Sequence, residues 1–227
     1  MPRSSSAFLF DLDGTLVDSV YQHVLAWKEA LDREGLDLSV WRIHRKIGMS
    51  GGLFTNILLR ETGLDITEER LARLREYHAE AYRRFATECA VQPLPGSREL
   101  LSFLTEQSIP WAIATSGRME TAGPNIASLG VDPNQVPVIT RDLVRHAKPD
   151  PDLFLAAAAK LGVDITQSLV VGDSIWDMLA AQRARALGIG LLSGGYGQEE
   201  LERAGAFRVY EDPADLLRHI DEVVARS

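Results

Sequence analysis

The sequence has almost no cysteine and no long hydrophobic run, and both shortages narrow the kinds of protein it can encode. Cys89 is the single cysteine among 227 residues, so no internal disulfide can form and no Cys-x-x-Cys pair is present for structural zinc. The apolar run at residues 7–10 is far shorter than a signal sequence or the roughly 20 residues of a membrane span. We therefore predict a cytoplasmic protein.

Positive charge is also scarce. The chain carries 24 Lys and Arg against 32 Asp and Glu, which gives a formal net charge of −8. Nonspecific binding to nucleic acid or to an anionic membrane depends on a basic surface, which this composition does not favour. We therefore expect a small-molecule partner, with no nucleic acid and no membrane, and the composition leaves monomer and dimer equally open.

Short apolar segments alternate with segments of helical periodicity along most of the chain. The predicted strands are residues 7–10, 111–114, 136–139, 169–171, 189–192 and 207–210. The predicted helices between and after them are residues 97–107, 119–129, 151–161, 175–187 and 213–225. Apolar runs without alternation are typical of strands buried on both faces. The pattern predicts an α/β fold with a doubly wound, Rossmann-like parallel sheet.

One long segment breaks this alternation. Residues 20–89 carry helical periodicity only, with turn signals at Gly35 and Gly63. Pro93 and Pro95 then favour a linker that returns to the alternating pattern. We predict an α/β core formed by residues 1–19 and 93–227, and a helical domain inserted at residues 20–92.

Two acids follow the first predicted strand, in the segment Asp11-Leu12-Asp13-Gly14-Thr15. In an open parallel sheet, side chains at the carboxyl end of a strand point into the crevice that binds ligands. Two carboxylates placed there repel each other and favour a cation, and Mg²⁺ suits oxygen ligands and phosphate. A turn in which the acids only cap the chain is the alternative.

Three further polar segments follow predicted strands. The tripeptide Thr115-Ser116-Gly117 offers a hydroxyl and backbone N–H groups that can hold an anion or cap a helix. Lys148 lies beside prolines in a loop, where a single lysine is usually a solvated charge. Asp173 and Asp177 have i, i+4 spacing and can face the same crevice, although Asp173 could instead cap a helix.

Taken together, an acid pair, a hydroxyl, a lysine and a second acid pair resemble the four motifs of the haloacid dehalogenase-like (HAD) phosphatases. The match spans the whole chain and includes a helical cap inserted between the first and second motifs. The resemblance implies a hydrolase that removes phosphate from a small phosphorylated metabolite. It also implies an aspartyl-phosphate intermediate and Mg²⁺ as the cofactor.

The resemblance assigns catalytic and phosphate-binding roles. Asp11 would be the nucleophile that attacks phosphorus. Asp13 would protonate the leaving oxygen and then activate water. Thr115, Ser116 and Gly117 would hold the phosphoryl group that is transferred.

The resemblance also assigns roles to the remaining charged residues of the motifs, Lys148, Asp173 and Asp177. Lys148 would neutralise charge between the nucleophile and the phosphate, and would count with the catalytic residues. The metal would be bound by Asp11, Asp173 and the backbone carbonyl of Asp13. Asp177 would hold a metal-bound water or the lysine.

A phosphosugar mutase related to β-phosphoglucomutase is the main alternative. His23, Trp27 and Lys28 are similar to the cap segment of that enzyme, in which the equivalent histidine couples cap closure to the general acid. However, Gly51 stands where those mutases carry an arginine for a second phosphate, and Gly172 stands where they carry a glutamate. These two departures favour a phosphatase.

A phospho-receiver or phosphate-binding module is a third reading, but receivers are smaller and lack inserted helices. In the predicted cap loop, Arg45 and Lys46 are candidate contacts for a substrate carboxylate or sugar phosphate. The four other histidines lack metal-ligand spacing and receive no role: His44, His78, His146 and His219.

Overall fold

The computed structural model describes residues 7–49, 54, 56, 57, 60 and 67–224. At its centre lies a six-stranded sheet in which every neighbouring pair is parallel, with the order β3-β2-β1-β4-β5-β6. The strands are β1 (Phe8–Phe10), β2 (Trp111–Ala114), β3 (Val138–Ile139), β4 (Leu169–Gly172), β5 (Leu187–Leu191) and β6 (Ala206–Tyr210). The predicted doubly wound α/β fold is therefore confirmed.

The α-helices of the described residues, numbered along the chain, are α1 (Val20–Arg33), α2 (Val40–His44), α3 (Glu68–Glu88), α4 (Ser97–Glu106), α5 (Met119–Ser128), α6 (Asp152–Leu161), α7 (Ile175–Ala184), α8 (Gln198–Arg203) and α9 (Pro213–Arg218). No helix in this part of the chain is long and apolar enough to cross a membrane.

Two predicted helices are longer than the observed ones. The helix predicted at 175–187 ends at Ala184, because Arg185 takes a left-handed backbone with φ of 63° and β5 starts at Leu187. The helix predicted at 213–225 ends at Arg218 and is followed by a 3₁₀ turn. The predicted strand at 136–139 pairs only over its last two residues, Val138–Ile139.

The central strands bury side chains on both faces, which explains their uninterrupted apolar sequence. In β1, Phe8 and Phe10 belong to one hydrophobic cluster, whereas Leu9 belongs to a second cluster. Alternate residues of a strand point to opposite faces, so both faces of this strand must be covered by helices. The arrangement leaves only the strand ends open to a ligand.

The segment between β1 and α4 is helical and has its own hydrophobic cluster, to which α1 contributes Val24 and Trp27 and α3 contributes Leu74. The chain crosses into and out of this segment along two neighbouring stretches. Val17 bridges to Pro93, and the Asp18 N–H donates to the Gln92 carbonyl at 2.9 Å. The domain boundaries at residues 19/20 and 92/93 stay a prediction.

A comparison of Gly96 with Gly130 tests how closely the return linker packs against α9. Both have left-handed backbone, with φ of 77° and 76°. A Cβ at Gly96 would overlap Ala214 in α9, whereas one at Gly130 would meet nothing within 4 Å.

We expect Gly130→Ala to lower the free energy of unfolding by about 1–2 kcal/mol, which is the conformational cost of an L-residue with this backbone. Gly96→Ala should lower it by a further ~1–3 kcal/mol because the added carbon is overpacked against a helix. Urea unfolding of both variants, followed by circular dichroism, measures the difference. Equal losses would contradict the close packing of the linker on α9.

Candidate active site

The carboxyl ends of three adjacent strands bring the predicted motif residues together. Asp11 follows β1, Thr115 follows β2 and Asp173 follows β4. Since β1 pairs with β2 on one side and β4 on the other, these three ends lie side by side. This is the position where open α/β sheets bind ligands.

Lys148 reaches the same place from the loop before α6. Its side chain is fully buried and forms ion pairs with Asp11 and, at 2.8 Å, with Asp177 Oδ1. Burial alone would lower the pKa of Lys148, but the two carboxylates outweigh it and raise that pKa. Lys148 is therefore a charged group of the interior, and the alternative of a solvated surface lysine is excluded.

Asp11, Asp173 and Asp177 form a buried cluster in which one oxygen from each carboxylate lies within 4.8 Å of the others. Burial and the neighbouring carboxylates raise the pKa of Asp11 to about 7 and raise the pKa of Asp173 well above its usual range. One lysine cannot balance three carboxylates. A divalent cation among these oxygens would favour the charged forms, so the site fits Mg²⁺ by its donor set and its charge.

Asp177 also anchors the start of α7. Its Oδ2 accepts hydrogen bonds from the Ser174 N–H at 3.1 Å and the Ser174 hydroxyl at 2.6 Å, which forms a capping box. The helix is therefore capped by Ser174 and not by Asp173, which stays in the acid cluster. A Cβ at Gly172 would overlap the Asp177 side chain, so a glutamate at position 172 would displace this carboxylate.

Asp13 has a different environment from Asp11. Its Oδ1 accepts from the Ser19 hydroxyl at 2.6 Å and from Asn125 Nδ2 at 3.3 Å, and lies 3.4 Å from His23 Nε2. Burial opposes ionisation of Asp13, but its contacts with His23 and Ser19 lower its pKa below the usual value. Asp13 Oδ2 is the carboxylate oxygen on the side of Gly117.

The tripeptide after β2 forms a tight loop. Thr115 is buried and its Oγ1 accepts from the Gly117 N–H at 2.9 Å, while Ser116 Oγ is buried and has no hydrogen-bond partner among the residues that the structure describes. The residue that precedes α5 is Arg118, so Thr115 and Ser116 do not cap that helix. An unpaired buried hydroxyl beside two acids can donate to a phosphate oxygen.

A cavity of about 340 Å³ connects these groups to the inserted helical segment. Asp11, Asp13 and the 115–117 loop line one end. Apolar side chains from the inserted segment line part of the wall: Trp27, Ile47, Met49 and Phe54. Trp27 is also part of the hydrophobic cluster of the helical segment.

His23 and His78 both line the cavity, and His78 was missed in the sequence. His23 Nδ1 lies 3.2 Å from His78 Nε2, and the His78 ring stacks on Trp27 with centroids 4.2 Å apart. Desolvation and the neighbouring His23 lower the pKa of His78 well below its usual value. The i, i+3 and i+7 spacing of Arg75, His78 and Tyr82 on α3 is the signal that could have placed them on one face.

The other candidates from the predicted cap differ in their position relative to the cavity. Arg45 pairs with Glu200 and lies over the Tyr196 ring, outside the cavity lining, so its role as a substrate contact stays a prediction. Lys46 does line the cavity. Lys28 pairs with a carboxylate of its own helix, outside the cavity lining. Gly51 lies outside the described residues.

Comparison with known proteins supports the family that the four motifs resemble. A family model for haloacid dehalogenase-like hydrolases matches residues 6–185. Hexitol phosphatase A of Escherichia coli is 37% identical over 169 residues, 74% of each chain. Phosphoglycolate phosphatase of Rhodospirillum rubrum is 30% identical and covers 95% of this chain and 90% of its own. The crystal structure of a hydrolase from Pseudomonas syringae has a TM-score of 0.94 and 59% identity, covering 97% of this chain and 100% of its own.

These matches confirm two predictions made from the motifs, an enzyme of the phosphatase class and its family. They exclude the reading as a receiver or phosphate-binding module. The chain belongs to the haloacid dehalogenase-like hydrolase family.

Proposed function

We propose that this protein is a Mg²⁺-dependent phosphatase that hydrolyses a small phosphorylated metabolite through an aspartyl-phosphate on Asp11. The observation that carries the proposal is the convergence of Asp11, Asp13 and the 115–117 loop in the lining of a single cavity, with the buried Lys148 paired to Asp11. Relatives named for hexitol and glycolate phosphates support a small substrate. A cavity of about 340 Å³ suits a ligand of that size.

In the first step, a carboxylate oxygen of Asp11 forms a bond to phosphorus while the bond from phosphorus to the leaving oxygen breaks. Asp13 Oδ2 gives its proton to that oxygen, so a neutral alcohol departs. Thr115, Ser116 and Gly117 hold the phosphoryl oxygens, and Lys148 favours the charged form of Asp11, against the burial and neighbouring carboxylates that raise its pKa.

In the second step, the charged Asp13 takes a proton from water as that water attacks phosphorus. The bond between Asp11 and phosphorus breaks, which restores the carboxylate and releases inorganic phosphate. The lowered pKa of Asp13 agrees with its role as the base in this step, and the Lys148 ammonium beside Asp11 favours the charged form that a nucleophile needs.

Asp11, Asp173 and the Asp13 carbonyl would hold Mg²⁺, with Asp177 holding a metal-bound water in addition to Lys148. When bound, the ion supplies charge neutralisation for the phosphoryl oxygens and the acid cluster. The mutase reading is disfavoured by Gly172, because the space that a glutamate would need is filled by Asp177.

We expect Asp11→Asn to reduce phosphate release by about 10⁴-fold or more, because an amide is not a nucleophile. The measurement is phosphate release from a panel of phosphorylated metabolites, with circular dichroism to check the fold. Asp32→Asn on the exposed side of α1 is the matched control and should keep the wild-type rate. Near-normal turnover in Asp11→Asn would refute the nucleophile.

We also expect metal removal to stop hydrolysis and Asp173→Asn to lose Mg²⁺ binding, because the cluster then has one charge and one oxygen ligand fewer. Titration calorimetry with Mg²⁺ measures binding independently of turnover. Asp37→Asn is the control, since Asp37 is exposed and outside the cluster. Full activity after chelation, or unchanged Mg²⁺ binding in Asp173→Asn, would contradict the metal site.

A further inference from the structure

We propose that the leaving group of the substrate carries a second anionic group, which is bound by Arg75 of the inserted helical segment. This rests on the proposed function, because it assumes that the phosphoryl group is transferred to Asp11. It goes further by naming the substrate class, an anionic alcohol, and a residue that selects it.

The charges around the cavity are the first argument. Beyond Asp11 and Asp13, the charged lining consists of four cations and two acids: Lys46, Arg75, Arg118, Arg141, Glu120 and Asp142. Both acids already have ion-pair partners. Asp142 pairs with Arg118 at 3.6 Å, and Glu120 pairs with Arg83 at 3.5 Å.

Two arginines of the lining have no carboxylate partner within the described ranges. Arg141 is anchored on the core side, since its Nη1 donates to the Val144 carbonyl at 2.8 Å and its N–H donates to the Gly117 carbonyl at 2.9 Å. Arg75 has no hydrogen-bond or ion-pair partner among those residues. In a chain of net charge −8, an unpaired guanidinium in the cavity wall favours an anionic ligand.

The position of Arg75 is the second argument. Arg75 and His78 are three positions apart on α3, so they lie on the same face of the helix. Their separation along the helix axis is about 4.5 Å. His78 is connected to Asp13 through His23, by contacts of 3.2 and 3.4 Å. Because the leaving oxygen must lie at Asp13, Arg75 is placed on the leaving-group side of the cavity.

The third argument is that the phosphoryl group does not need Arg75. The 115–117 loop lines the cavity beside Asp11, the buried Lys148 pairs with Asp11, and the acid cluster would hold a cation, so these groups would serve the phosphoryl group. Trp27 and Phe54 line the wall, with ring centroids 4.4 Å apart, and apolar walls strengthen an ion pair by excluding water.

The test uses pairs of phosphomonoesters that differ only in the second anion. One pair is 2-phosphoglycolate and 2-hydroxyethyl phosphate, and a second is 6-phosphogluconate and glucitol 6-phosphate. A third pair, fructose 1,6-bisphosphate and fructose 1-phosphate, distinguishes a second phosphate from a carboxylate. We expect kcat/KM to be about 10- to 100-fold higher for the anionic member of at least one pair.

Arg75→Gln should reduce that preference by about the same factor, since it removes the charge but keeps a polar side chain. Arg73→Gln is the control on the same helix, because Arg73 pairs with Glu34 and does not line the cavity. A preference for the neutral member in every pair, or an unchanged preference in Arg75→Gln, would overturn the inference. No phosphate release from any pair would instead refute the proposed function, and the inference with it.

The contact between the two cavity histidines carries a second, independent proposal. We infer that His78 is a positioning residue that orients His23, and through it Asp13, for proton transfer. A carboxylate only accepts hydrogen bonds, so His23 Nε2 carries the proton that faces Asp13 Oδ1. In that tautomer His23 Nδ1 is an acceptor, and the His78 Nε2–H at 3.2 Å fills it.

This orientation matters because all the donors act on one oxygen of Asp13. Ser19, Asn125 and His23 surround Oδ1, which turns Oδ2 toward the 115–117 loop. A flipped His23 ring would lose its contact with Oδ1 and free the carboxyl group to rotate. The general acid would then be misplaced, while Asp11 would remain in position.

The test compares two substrates, one whose leaving group needs a proton and one whose leaving group does not. A role of His78 in proton transfer affects only the first substrate, whereas a structural role affects both. His78→Phe keeps an aromatic ring against Trp27 but removes the N–H, and His78→Gln retains a donor. Single-turnover rates of alcohol release are measured with 2-phosphoglycolate and with 4-nitrophenyl phosphate, whose leaving group departs without protonation. We expect His78→Phe to lower the ratio of the first rate to the second by about 10- to 100-fold.

His78→Gln should recover most of that ratio, and His146→Gln, outside the cavity, is the control. An equal loss with both substrates would indicate a structural role and overturn the proposal. An unchanged ratio in His78→Phe would overturn it as well.

Discussion

The site depends on the charge balance around the buried amine of Lys148. A fully buried lysine is stable only when it is paired, and here two carboxylates, Asp11 and Asp177, pair with it. Adding Asp173 leaves the group with excess negative charge, which a divalent cation is suited to balance. Asp11, Lys148, Asp173 and Asp177 therefore form one electrostatic unit, in which a change in the charge of one member alters the charge balance of the others.

Asp13 belongs to a second unit that spans the two parts of the protein. Ser19 and Asn125 come from the segments around the sheet, whereas His23 comes from α1 of the inserted helices. Two acids that are separated by one residue thus acquire opposite pKa shifts, because one is surrounded by carboxylates and the other by donors.

The inserted segment also contributes to the cavity. Its apolar side chains and Arg75 line the cavity together with Asp11, Asp13 and the 115–117 loop. The relatives share the family but are named for different phosphorylated compounds. Under the proposed function, changes in the lining of the inserted segment would alter the choice of substrate while the acid cluster stays intact.

Much of this was predictable from local sequence, because a strand that ends in an acid or hydroxyl brings that group to the shared edge of a parallel sheet. The fold class and the grouping of Asp11, Thr115 and Asp173 followed from that rule, whereas the family and the place of Lys148 in the site followed from the resemblance of the four motifs. Contacts between segments far apart in the sequence could not be predicted in this way. Only the tertiary structure brought His78 to His23, paired Arg45 with Glu200 away from the cavity, and left Arg75 on its wall. The physical reason is that strand ends are placed by backbone pairing, whereas a helix face is oriented by packing between segments far apart in the chain.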